Sequence, residues 1–270
     1  MNQPDTALSM ALLQQYCKQC KLAGISKAYQ RIHQEAQEKQ WNLHDFFLAL
    51  LEEEILHRKN SRYQKLLKLA ALPQIKTLKQ FEFSKAPFLS RADILDLHQL
   101  EFLTTATNIL FLGEQGTGKT HLLLSLAHQA CLQGYTTWFT TAAHLGNQLA
   151  EMQDNRSLER FLLKLKKVQV LCIDELGYVK LSSSTTQLLF QVIADRYESG
   201  SILLTSNLEF TEWTRIFQDE RMTAAILDRL VHKSRIFVFK GPSYRLNDSM
   251  ERKHKTIHRK ESSERKTIQD

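Results

Sequence analysis

Residues 113–120 read GEQGTGKT, and this stretch holds three of the nine glycines in a 270-residue chain. It fits G-x-x-x-x-G-K-[ST] in full, with the apolar run NILFL before it and HLLLSLAHQACLQG after it. A strand that turns through glycines into a helix is the setting in which that pattern forms a phosphate cradle. Backbone N–H groups must wrap the phosphate chain, and side chains would block the approach. Gly113, Gly116 and Gly118 supply the required dihedrals. A helix starting near Lys119 directs its positive dipole end at the anion. The expected nucleotide-contacting stretch is Gly113, Glu114, Gln115, Gly116, Thr117, Gly118, Lys119, Thr120 and His121. Lys119 can reach the β- and γ-phosphates, and Thr120 offers a hydroxyl to magnesium. ATP and Mg²⁺ are therefore the expected ligands.

Hydrolysis needs more than a cradle. In VLCIDELGY, Asp174 closes an apolar strand, where it can hold magnesium. Glu175 directly after it is placed to polarise an attacking water. The run SILLTSN ends in Asn207, whose amide can orient that water. A fixed cation is also required, in cis or in trans. Arg196, Arg221, Arg229 and Arg245 are all open to that role, and residue chemistry alone does not choose among them.

Around this site the pattern is that of an α/β fold. Short apolar runs (NILFLG, TTWFTT, VLCIDE, SILLTSN and RIFVFK) alternate with helical stretches, as buried parallel strands do. The expected architecture is a three-layer αβα parallel sheet of the P-loop NTPase class. Before it, residues 6–71 read as helical, with one glycine and no proline, and Asn42 as a helix N-cap. The expected division is an all-α domain over 1–72, a linker over 73–90 that opens on Pro73, the ATPase domain over 91–246, and a basic, unfolded tail over 247–270. That tail, with Arg252, Lys253, Lys255, Arg259 and Lys260, has too few apolar residues to fold alone. The net charge of +7 favours a polyanionic partner. Cys17 and Cys20 form C-x-x-C in a helical stretch, but no second pair completes a zinc site, so both read as reduced thiols. No apolar stretch is long enough to span a bilayer, and MNQPDTALSM lacks a secretory pattern. The expectation is a cytoplasmic protein with no membrane partner.

Taken together, GEQGTGKTHL, VLCIDELGY, RYESGSILLTSNLEFTEW, AAILDRLVHKS, GPSYR and the N-terminal DFFLALLEEEI and ALPQIKTLKQFEF resemble the IstB-like ATP-binding proteins. These are helper AAA+ ATPases of insertion-sequence transposition, close to the DnaC/DnaI helicase loaders. The resemblance spans nearly the whole chain. It implies an ATP-dependent homo-oligomer with sites between subunits, Arg229 as the arginine finger, Asn207 as the first sensor, and no separate lid domain. It also implies double-stranded DNA and a cognate transposase as partners. Glu114 and Gln115 depart from the prolines common in the family, but neither removes a phosphate ligand. A replicative helicase loader of the same chemistry is the alternative reading. A metabolic P-loop kinase would need an acceptor pocket and an arginine-rich lid, and neither is visible.

Overall fold

A computed structural model describes residues 6–241 of the chain. Helices α1 (Thr6–Gln19), α2 (Ala23–Glu38) and α3 (Leu43–Ala70) come first. Asn42 opens α3 as an N-cap, its side-chain oxygen accepting from the Asp45 N–H at 2.9 Å. Next are α4 (Arg91–Leu97), β1 (Asn108–Gly113), α5 (Lys119–Leu132), β2 (Thr137–Thr141), α6 (Ala142–Asp154), α7 (Leu158–Lys166) and β3 (Val170–Leu176). The order closes with α8 (Ser183–Arg196), β4 (Ser201–Ser206), α9 (Thr214–Phe217), α10 (Glu220–Val231) and β5 (Ser234–Phe239). The expected tail, Arg245 and the stretch on which a lid would be built lie outside the described residues.

The chain divides into two compact units, Met1–Lys65 and Leu66–Asp270, so the boundary falls inside α3. No glycine or proline interrupts the sequence there, and the helix continues across it. In the first unit Cys17, Ile25, Ala28, Ile32 and Leu50 form a small core. Glu54 of α3 is buried and accepts from the Gly24 and Ile25 N–H groups, at 2.6 and 3.2 Å, and from Arg58 Nε at 2.7 Å. It thus caps the uncapped start of α2 from a neighbouring helix.

The second unit is built on five parallel strands in the order β2-β3-β4-β1-β5. Alternation along each strand sends its residues to two helical layers. Ile109, Phe111, Cys172 and Leu203 join α4 and α5 on one face. Leu110, Leu112, Leu171, Ile173, Ile202 and Leu204 join α6, α8, α9 and α10 on the other. Both faces are covered, which is why these strands read as unbroken apolar runs rather than alternating ones. The architecture is the expected three-layer αβα sheet.

Segment 73–90 is more than a spacer. It forms 3₁₀ turns at Leu78–Gln80 and Phe83–Lys85. Leu78, Phe81, Phe83, Phe88 and Leu89 pack onto the cluster around α5.

Burial acts to raise the carboxyl pKa of Glu54, but the Arg58 bond and the two backbone N–H groups outweigh it, and the net shift is downward. A depressed carboxylate stabilises the fold above its unfolded pKa, and that contribution disappears as pH falls through the folded one. Glu54→Gln should therefore melt below the parent at neutral pH, and the gap should close between about pH 5 and roughly pH 3. Thermal melts of the full chain across that range test this; a gap independent of pH would contradict it.

Candidate functional site

Strand β1 ends in the loop that delivers Lys119 to the start of α5. Gly113, Gly116 and Gly118 have φ of 128°, 75° and 101°. Gly113 is also required by packing: an added Cβ would lie 2.0 Å from the Phe239 carbonyl oxygen of β5. At the N-terminus of α5 the capping position is Gly118, which offers no side-chain acceptor. The first N–H groups of a 14-residue helix therefore point at the loop without a side-chain cap, the arrangement that receives an anion. Lys119 is buried, and its Nζ donates to the carbonyls of Gly113 at 2.7 Å and Glu114 at 2.6 Å. Thr117 closes the loop by donating to the Glu114 carbonyl at 2.7 Å. Glu114 and Gln115 are exposed at the tip.

His121 turns to the 73–90 segment. Its Nε2 is 3.1 Å from the Thr77 carbonyl, and its ring lies edge-on to Phe81 at 5.5 Å. Burial lowers its pKa, which favours a neutral imidazole donating to Thr77. Phe81 lies over Gly118. In the sequence Phe81 stands only within the family-like stretch ALPQIKTLKQFEF and has no role assigned to it, because an aromatic in a stretch read as a linker carries no local signal of its own.

Asp174 is 3% exposed. Its Oδ1 accepts from Thr120 Oγ1 at 3.0 Å and from Thr205 Oγ1 at 2.5 Å. The structure thus joins the P-loop helix to the acidic end of β3. Glu175 shares the Thr205 hydroxyl with its neighbour but differs from it in exposure and backbone. It is exposed, its φ is +62°, and its N–H donates to Thr205 Oγ1 at 2.9 Å. Left-handed backbone is uncommon for a non-glycine residue, and where it occurs at a site it is held there by the surroundings.

Asn207 follows β4, and its amide oxygen is buried without a hydrogen-bond partner. It faces Gly177, where φ is +118° and an added Cβ would lie 2.5 Å from that oxygen. The turn after Asn207 is held by Trp213, fully buried, which donates from Nε1 to the Leu208 carbonyl at 3.4 Å. Phe210 and Phe217 pack edge-on against that indole.

The arginines separate. Arg196 is 2% exposed and donates to the carbonyls of Leu165, Val168, Gln169 and Ser201 at 2.8–3.2 Å. Burial pushes its pKa down to about 10, so it stays charged at neutral pH. It ties the starts of β3 and β4 together and is not free to act as a finger. Arg221 is exposed. Arg229 is half-buried on α10, with its guanidinium 4.6 Å from the Phe190 ring centroid and Nη1 donating to the Ala225 carbonyl at 3.2 Å.

A parallel sheet in the order β2-β3-β4-β1-β5, with a glycine cradle after β1 and an acidic pair on β3, defines a P-loop NTPase of the AAA+ type. The profile of the IstB-like ATP binding protein family matches residues 15–252, and the chain belongs to that family. It is 41% identical over 236 residues to the insertion sequence IS5376 putative ATP-binding protein of Geobacillus stearothermophilus, covering 87% of this chain and 94% of that one. With the insertion sequence IS21 putative ATP-binding protein of Pseudomonas aeruginosa it shares 35% identity, over 84% and 86% of the two chains. Among solved structures it is similar in fold to DnaI (TM-score 0.52, 18% identity, 61% of this chain and 91% of that one). It is also similar in fold to AMPPCP-bound DnaA from Aquifex aeolicus (TM-score 0.50, 19% identity, 61% and 49%). No helix among the described residues is long and apolar enough to cross a membrane.

Two substitutions probe this framework. Arg196→Met removes the four guanidinium hydrogen bonds to carbonyls around the starts of β3 and β4 and should cost about 3 kcal/mol in urea unfolding. The exposed control Arg221→Met should stay within about 0.5 kcal/mol of the parent. Gly177→Ala places a side chain against Asn207 in left-handed backbone and should cost roughly 1–3 kcal/mol in the same assay. Parental stability of either Arg196→Met or Gly177→Ala would refute the packing described at that position.

Proposed function

We propose that this chain is a Mg²⁺-dependent ATPase that oligomerises on duplex DNA with ATP, helps select target DNA and stimulates a cognate transposase. The observation that carries the reading is the bond from Thr120 to the buried Asp174, which joins a phosphate cradle to a carboxylate. The residues present fit the expected ligands. The start of α5 has no side-chain cap, and Asn207 keeps a buried oxygen without a partner.

In this reading the loop N–H groups and Lys119 hold the triphosphate, with Lys119 exchanging the Gly113 and Glu114 carbonyls for phosphate oxygens. Thr120 and Asp174 would hold magnesium, which supplies positive charge to the phosphates. Thr120 can offer its oxygen outward while its hydrogen stays on Asp174. Glu175, exposed at the end of β3, accepts a proton from the attacking water. Asn207 orients that water. Arg229 acts on the nucleotide of the neighbouring subunit, leaving its stack on Phe190 in the assembly. The site in one chain is then incomplete, and nucleotide bridges subunits.

The net charge of +7 supports a polyanionic partner bound through its phosphates. The names of the relatives favour transposition over helicase loading. The family model matches from residue 15 and so takes in most of the N-terminal helices, whereas the likeness to DnaI spans 61% of this chain and speaks for the fold alone.

The test is ATP turnover with and without duplex DNA. Glu175→Gln should bind ATP, hydrolyse it about 10²–10⁴-fold more slowly, and stay on DNA longer. Arg229→Ala and Lys119→Ala should each be inactive alone, and mixing them should restore part of the activity. Absence of rescue, or DNA binding indifferent to ATP and to salt, would count against the assembly.

A further inference from the structure

Strand β3 carries one residue more than β4 can pair with. Ile173 lies opposite Leu204, and the next pair is Leu176 opposite Ser206. Two residues, Asp174 and Glu175, therefore face the single residue Thr205. This is a bulge, rare between parallel strands, and bulges next to active sites re-aim a side chain. Here Glu175 is the residue in left-handed backbone, and its N–H has lost its place in the ladder.

Thr205 fills that gap with its side chain. It is buried, and its one hydroxyl group makes both bonds that the bulge requires. The oxygen accepts from the Glu175 N–H at 2.9 Å, and the hydrogen is donated to Asp174 Oδ1 at 2.5 Å. Both capacities of a hydroxyl are in use at once, and only serine or threonine offers them in so small a volume. Without that acceptor the Glu175 peptide can relax from left-handed to extended backbone. Successive side chains of a strand point to opposite faces, so such a relaxation redirects the carboxylate.

We infer that Thr205 is a positioning residue for hydrolysis: its hydroxyl locks the β3 bulge and so aims the Glu175 carboxylate. The inference rests on Glu175 acting as the base. It goes beyond that reading by assigning a role to Thr205, which in the sequence reads only as part of the strand SILLTSN.

The experiment measures steady-state ATP turnover at saturating Mg²⁺, affinity for a fluorescent ATP analogue, and thermal melting. The proteins are the full-length parent, Thr205→Val, Thr205→Ser, Glu175→Gln and the double variant Thr205→Val/Glu175→Gln. Thr205→Val should lower kcat on the order of 10- to 100-fold, as misplacement of a catalytic group does. Its KM and analogue affinity should remain within about twofold of the parent. Thr205→Ser, which keeps the hydroxyl, should recover turnover to within about threefold. The double variant should be no slower than Glu175→Gln, because both changes act through one carboxylate.

Parental turnover by Thr205→Val, with Glu175→Gln slow, overturns the inference and leaves the base assignment standing. Parental turnover by Glu175→Gln removes the base assignment and this inference with it. A further loss in the double variant places the action of Thr205 elsewhere and also overturns it. If Thr205→Val fails to give a cooperative melt, Thr205→Cys takes its place with the same expectations, since a thiol is only a weak donor and acceptor.

Discussion

A carboxylate taken out of water must be given partners, because the desolvation cost is several kcal/mol per charge. Asp174 meets that demand with two hydroxyls from different elements, Thr120 of α5 and Thr205 of β4. The helix that follows the phosphate loop and the two central strands are thereby held to one oxygen atom. The geometry of the site follows from this constraint. Lys119 and Thr120 are neighbours on α5, Glu175 directly follows Asp174, and Asn207 is two residues past Thr205.

The strand order makes that convergence possible. Because β4 is inserted between β1 and β3, the end of β4 lies between the strand of the glycine loop and that of the acidic pair, and Thr205 on it bonds to both acidic residues. At the opposite end of the same strands, Arg196 binds four carbonyls around the starts of β3 and β4. One end of the sheet is locked by a buried cation serving backbone acceptors. The other end keeps open donors at α5 and an unpartnered amide oxygen at Asn207. Rigidity at one end and unmet hydrogen-bonding capacity at the other is the division expected where strands carry a ligand site at their C-terminal ends.

Much of the fold was legible because its signals are local. Five apolar runs, glycines at a strand–helix turn and an asparagine before α3 each reflect the conformation of a few consecutive residues. The parts that were not legible depend on distant partners. Arg196 and Arg229 are both arginines near helix ends, and nothing adjacent to them says that one meets four carbonyls and the other an aromatic face. Phe81 and Phe83 stand in a stretch that opens on a proline and reads as a connection, yet they pack on the helix of the P-loop. Gly177 gave no signal, because the atom that requires it belongs to Asn207, thirty residues on.

The sequence by itself determined the P-loop, the parallel α/β class and the membership of the family, since each is written in contiguous residue patterns. Only the tertiary structure decided that Thr205 stands opposite two residues of β3, that Glu175 adopts left-handed backbone, and that Asp174 bridges α5 to β4. A register shift between strands has no local signature. It arises when two segments, each unremarkable alone, are paired over unequal lengths and one hydroxyl makes up the difference.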